Sequence, residues 1–102
     1  MRFEWDDRKN RANIEKHGLS FASAEAAFQG PMAVGLEDRE DYGEDRWIGL
    51  GTLGHRIVVV VYTEPDHDTI RIISLRKALS HERHDYEDFI RNRLGTSGRA
   101  DR

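Results

Sequence analysis

The chain has 102 residues, 37% of them hydrophobic and 34% charged, and it contains no cysteine. That composition leads us to expect one domain with a small core and a heavily charged surface, and it excludes disulfides and thiolate metal sites. The formal net charge of −3 argues against a general nucleic-acid binder, and no apolar run approaches the roughly 20 residues a membrane-spanning helix needs.

The charge is unevenly spread. Residues 1–70 carry 8 Lys/Arg against 14 Asp/Glu, whereas residues 71–102 carry 8 against 5. A local basic patch can therefore form on an acidic molecule, because fields are screened beyond about 10 Å at 0.1 M salt. The N-terminal residues show no apolar signal-peptide region, so the expectation is a soluble, cytoplasmic protein without a membrane partner.

In chain order, Phe3 and Trp5 alternate with charged residues and suggest a short strand or an extended lead-in. Asp6 or Asp7 can cap a first helix to about His17, with thin apolar content at Ala12 and Ile14. Gly18 reads as its left-handed terminator, followed by Leu19 as the apolar contact. Ser20 caps a second helix to about Gln29, with Phe21, Ala24, Ala27 and Phe28 on one side.

After Gly30-Pro31 the period changes to two. Strands are expected over Met32–Leu36, Arg46–Leu53, Arg56–Thr63 and Thr69–Leu75. The acidic run Glu37–Asp45 reads as a hairpin connection and Glu64–Asp68 as a turn. Gly49, Gly51 and Gly54 weaken the second of these strands or permit a bulge. Such short connections imply antiparallel pairing. Ser80 caps a last helix to about Leu94, with Tyr86, Phe89, Ile90 and Leu94 in one stripe, and Gly95 ends it. The polar residues 96–102 are expected to be a disordered tail. The fold class is α+β: two N-terminal helices, an antiparallel sheet of about four strands and a C-terminal helix, in a single domain over residues 1–95.

The segment Arg71–Lys77 stands out. It is apolar and β-branched at Ile72, Ile73 and Leu75, yet it carries Arg71, Arg76 and Lys77. Cations held on a rigid strand suit phosphate or carboxylate. The plainer alternative is that Arg71 pairs with the acids at Glu64–Asp68, and that Arg76 and Lys77 are exposed charges at a strand end. In a regular strand Arg71 and Lys77 share one face and Arg76 joins Ser74 on the other, so all three converge only if the strand ends or bulges near Leu75.

Three blocks resemble a known family. Phe3-Glu4-Trp5-Asp6 followed by Lys9–Gly18 is similar to its N-terminal signature, Gly43-Glu44-Asp45-Arg46 to a shorter middle one, and Arg71–Ala78 to a late one. The family is BrnT, the toxin half of a bacterial type II toxin–antitoxin pair. Where it usually has Ala between Ser and Arg in the late block, this chain has Leu75. The resemblance implies a RelE-like fold, cleavage of messenger RNA with arrest of translation and growth, and neutralisation by a BrnA-type antitoxin through which DNA is bound only indirectly. It carries the family's basic residues over to Arg71, Arg76 and Lys77 as catalytic candidates.

RNA can be cut without a metal when its own 2′-hydroxyl attacks the adjacent phosphorus, and no metal or cofactor is assigned. Arg71 and Arg76 suit stabilisation of the developing charge. Lys77 suits phosphate binding or, with a depressed pKa, proton transfer. Arg46, Trp47, His81 and His84 are candidate RNA contacts: Arg46 through phosphate, Trp47 through base stacking, and the two histidines as proton carriers or surface residues. Trp5 is assigned to the core. The rival functions are a non-catalytic RelE-like interaction module whose acidic face binds a basic partner, and a small transcriptional co-regulator.

Overall fold

A computed structural model describes residues 1–37 and 43–99. The middle of the acidic connection and the last three residues of the expected tail lie outside the described residues.

The first helix, α1 (Asp7–His17), begins and ends as its sequence dictates. Asp6 Oδ1 accepts from the backbone N–H groups of Arg8 and Lys9 at 2.8 and 3.1 Å. Gly18, at φ +71°, closes the last turn with its N–H on the Ile14 carbonyl. The face α1 turns inward is polar, not the expected Ala12 and Ile14. Ile14 is exposed and Asn13 is buried. Asn13 Nδ2 donates to the carbonyls of Leu19 and Leu75 at 2.9 and 2.8 Å, and its Oδ1 accepts from Leu75 N–H at 3.2 Å. Asn10 Oδ1 accepts from Phe21 N–H in the same way.

The expected second helix is shorter and divided. Ser20 caps a 3₁₀ turn, Phe21–Ser23, which leads into a single α-helical turn, α2 (Ala24–Ala27). Phe21, Ala24 and Ala27 are nonetheless buried, as their spacing predicts.

The sheet has five strands, not four, and it is mixed. Its order is β1-β5-β4-β3-β2, comprising β1 (Arg2–Glu4), β2 (Ala33–Glu37), β3 (Arg46–Leu53), β4 (Arg56–Asp66) and β5 (Thr69–Lys77). The last four pair antiparallel, as their short connections require. The lead-in around Phe3 is an edge strand, and β1 lies parallel to β5 with Glu4 beside Arg71. Strand β4 runs past the expected end through Pro65. A proline is tolerated there because the pairing of β4 with β3 ends at Tyr62, three residues earlier, among the described residues.

One face of the sheet carries Val58, Val60, Tyr62, Ile70, Ile72 and Leu75, packed under Leu19, Phe21, Ala24 and Ala27. Phe3, Trp5, Phe28, Met32 and Trp47 line its margin. This is the main core, and burial of each large apolar side chain in it contributes about 1.5–3 kcal/mol. The glycines of β3 reflect this packing. A Cβ on Gly51 would meet Met32 Cγ at 3.2 Å, tighter than ordinary contact, so Met32 lies close against β3 where Gly51 has no side chain.

The last helix, α3 (Ser80–Arg99), continues past Gly95, where a stop is expected. Tyr86 is buried, and its hydroxyl donates to the Pro31 carbonyl at 3.1 Å. No described helix is long and apolar enough to cross a membrane.

Candidate active site

The strand that carries the candidate cations is irregular, and the irregularity decides where they point. Val61 pairs with Ser74 but the next residue, Tyr62, pairs with Ile72, which leaves Ile73 without a partner. This is a β-bulge, and it reverses the alternation of side chains. Ile72 and Leu75 consequently both enter the core although they are three apart. Arg71, opposite Thr63, and Arg76, opposite Val59, therefore share the other face of the sheet with Ser74. Lys77, opposite Val58, turns to the core side and is exposed there at the strand end. The bulge thus unites two of the three expected cations and separates the third. With a strand rise of about 3.3 Å, the Cα atoms of Arg71 and Arg76 are roughly 15 Å apart.

Each arginine is held by a carboxylate. Arg71 bonds Glu4 on the neighbouring strand, with Nε and Nη2 at 2.6 and 2.5 Å from Oε2. The acids of the 64–68 turn do not supply this partner; Asp66 instead accepts from Asp68 N–H and the Thr69 hydroxyl. Both members of the Arg71–Glu4 pair are more than 40% exposed, so the pair is worth no more than about 1 kcal/mol and exchanges readily.

Arg76 is tied more firmly. Its Nη1 and Nη2 donate to Glu82 Oε1 and Oε2 at 2.8 and 2.9 Å, a bidentate pair, and Nη1 also reaches the Lys77 carbonyl at 3.3 Å. The Arg76 guanidinium, followed by the Leu79 N–H, holds the Glu82 carboxyl down to about 2 against the opposing effect of burial. A carboxyl whose folded pKa is lowered stabilises the protein above its unfolded pKa, near 4.5, and loses that contribution as pH falls towards 2. We therefore expect the urea midpoint of the wild type to exceed that of Glu82→Gln at pH 6, with the gap closing between pH 4.5 and pH 2. The corresponding stability difference is on the order of 1–2 kcal/mol after solvent screening.

On the face that carries Arg71 and Arg76, cross-strand register lines up a polar row beyond β5. Glu4 lies beside Arg71, Arg71 opposite Thr63, and Glu37 opposite Arg46. One step beyond the Trp47–Tyr62 pair, Arg46 falls opposite Thr63. A row Glu37, Arg46, Thr63, Arg71, Glu4 thus crosses the sheet, with the buried Thr63 hydroxyl, which makes no hydrogen bond among the described residues, at its centre. Arg46 thereby shares a face with Arg71, as an RNA contact would require. Trp47 does not, since it packs at the core margin opposite Tyr62.

The two histidines of α3 diverge. His81 lines a groove of about 380 Å³ with Glu82, Asp85, Leu36, Ile48 and Leu50. His84 lines a separate shallow depression with Glu87, Asp88 and Arg91. His81 thus shares its groove with the carboxylate that holds Arg76, and His84 does not. Among the described residues, no three His, Asp or Glu side chains gather as a metal site would require.

A profile described as the ribonuclease toxin BrnT of type II toxin–antitoxin systems matches residues 5–82, which include the bulge, both arginines and Glu82. The chain belongs to the BrnT family. It is a ribonuclease toxin of a type II toxin–antitoxin system, and such a toxin has an antitoxin partner. The crystal structure of the Brucella abortus ribonuclease toxin BrnT is similar, with a TM-score of 0.63 and 28% identity, over 78% of this chain and 99% of that one. Among curated proteins none shows significant similarity. Where the BrnT late signature usually has Ala, Leu75 is fully buried in the core, so that departure bears on packing.

The residues that position this site escape a reading of the sequence. Glu4 and Glu82 are ordinary acids in a chain with 19 of them. Glu82 alone offers a signal: an acid three residues after Leu79, the N-terminal boundary residue of α3, is where a capping carboxylate belongs.

Proposed function

We propose that this toxin cleaves messenger RNA without a metal, by attack of the substrate's own 2′-hydroxyl on the adjacent phosphorus, and so arrests translation and growth. The observation that carries this reading is the bulge at Ile73, which sets Arg71 and Arg76 on one face within the family-matched segment. Arg76, in a fixed plane, stabilises the charge that develops on the phosphorus oxygens. Arg71, some 15 Å along the strand, exchanges Glu4 for a neighbouring phosphate, and Arg46 extends the same track. Lys77 receives no catalytic part, because β5 turns it to the opposite face. His81 is the nearer candidate for proton transfer, since it borders the groove that contains Glu82.

The setting is a single RelE-like domain over residues 1–95, acting in the cytoplasm, with a BrnA-type antitoxin as the protein that neutralises it and links it to DNA. One observation favours a second reading. Both arginines are already paired with carboxylates, as they would be in a non-catalytic interaction module. Expression of the chain alone and with its antitoxin separates the two. Growth arrest with loss of full-length messenger RNA, relieved by the antitoxin, is expected. Tight antitoxin binding with no arrest and no RNA loss contradicts the catalytic reading.

A further inference from the structure

Glu82 is the acid in the first turn of α3, and only Lys77–Leu79 separate Arg76 from that helix. An acid at this position is ordinarily a helix cap, and one carboxylate oxygen suffices for that. Here Oε1 accepts from Leu79 N–H at 2.7 Å and from Arg76 Nη1 at 2.8 Å, while Oε2 accepts from Arg76 Nη2 at 2.9 Å. The Glu82 side chain is 16% exposed, less than half the exposure of the arginine it holds. A two-point contact between planar groups fixes orientation as well as distance. The same carboxylate therefore starts α3 and sets the plane of the guanidinium at the end of β5.

We propose that Glu82 is a positioning residue for RNA cleavage, holding the Arg76 guanidinium in the plane from which it meets the reacting phosphate. The inference rests on the reading above, that Arg76 acts on RNA. It has two rivals: Glu82 serves only as a helix cap, or it restrains Arg76 and lowers activity.

The experiment uses the full chain and an in vitro messenger RNA transcript. Glu82→Gln removes the charge and the symmetric fork. The expected result is a fall in kcat of about 10–100-fold with KM changed less than about twofold. In an Arg76→Ala background the same change is expected to have no further effect on kcat. Because loss of the cap can lower stability, Glu82→Gln is also combined with Leu79→Ser, which places a good capping side chain at an exposed N-terminal boundary position. A kcat that stays low in this double variant, once its thermal midpoint has recovered, supports positioning. A kcat that recovers together with stability makes Glu82 a cap alone and overturns the proposal. Activity equal to or above wild type in Glu82→Gln overturns it in favour of restraint. Wild-type cleavage by Arg76→Ala would instead overturn the underlying reading, so the two failures are distinct.

Discussion

Arg76→Ala is expected to lower cleavage of messenger RNA by about 10²–10³-fold and to abolish growth arrest, with the protein still folded. Removing one preorganised donor from a developing negative charge commonly has an effect of this size. The variant keeps its fold because Glu82 retains the Leu79 N–H as a partner and because the core lies on the opposite face of the sheet. Arg76→Lys is the more incisive form of the test. A lysine keeps the charge but cannot reproduce the fork on Glu82, so it should remain folded and lose most of the activity. Cleavage rates, read beside the urea midpoint of each variant, check both expectations. Arg71→Ala is expected to cost less, since its exposed pair with Glu4 shows no comparable constraint.

Asn13→Ala is expected to be the most destabilising single change in α1. It removes three hydrogen bonds at once and leaves the Leu75 N–H, the Leu75 carbonyl and the Leu19 carbonyl without a partner in the interior. Each buried polar group left unsatisfied costs about 1–3 kcal/mol, so the three together cost roughly 3–9 kcal/mol against a stability of about 5–15 kcal/mol. For a domain of this size the thermal midpoint should fall by roughly 12 °C or more. Ile14→Ser, one residue further along the same helix, should move it by no more than about 4 °C. Ile14 is 44% exposed, and surface substitutions of this kind are usually within about 0.5 kcal/mol. Thermal melts of the two variants side by side decide whether α1 is held by apolar burial or by an amide fitted to the edge of β5. Because Asn13 grips the residue between Ser74 and Arg76, its loss should also loosen the site.

Those two residues illustrate what can be read from the chain and what cannot. Strands β3, β4 and β5 start where the alternation of apolar residues starts, and the caps at Asp6, Gly18 and Ser20 are local chemistry that a sequence displays openly. Arg71 and Arg76 are visible as charges that a strand does not need for folding. The alternation at Phe3 and Trp5 hints at β1, but its parallel pairing with β5 is hidden, because that neighbour lies more than sixty residues away and three residues leave little pattern. The bulge at Ile73 is hidden as well, since nothing in Ile72-Ile73-Ser74 marks which residue will lose its partner. Alternation along a regular strand separates Arg71 from Arg76, and the bulge at Ile73 brings those two together while leaving Lys77 on the other face. Asn13 was invisible because a buried amide breaks the apolar stripe on which a helix face is read. Glu82 was masked by Ser80, the more conventional cap two residues earlier. In each case the missing information is tertiary: a partner chosen by the fold, not by the neighbouring residues.

The most direct measurement is the chemistry of the cut ends. The purified chain, freed of metal and held in EDTA, is incubated with an end-labelled messenger RNA, and the fragments are analysed by mass spectrometry. Attack by the 2′-hydroxyl under guanidinium stabilisation predicts fragments ending in a 2′,3′-cyclic phosphate and beginning with a 5′-hydroxyl, formed at an undiminished rate in EDTA and about 10²–10³-fold more slowly by Arg76→Ala. Fragments carrying a 5′-phosphate and a 3′-hydroxyl, or cleavage that stops in EDTA and returns with a divalent cation, would contradict it.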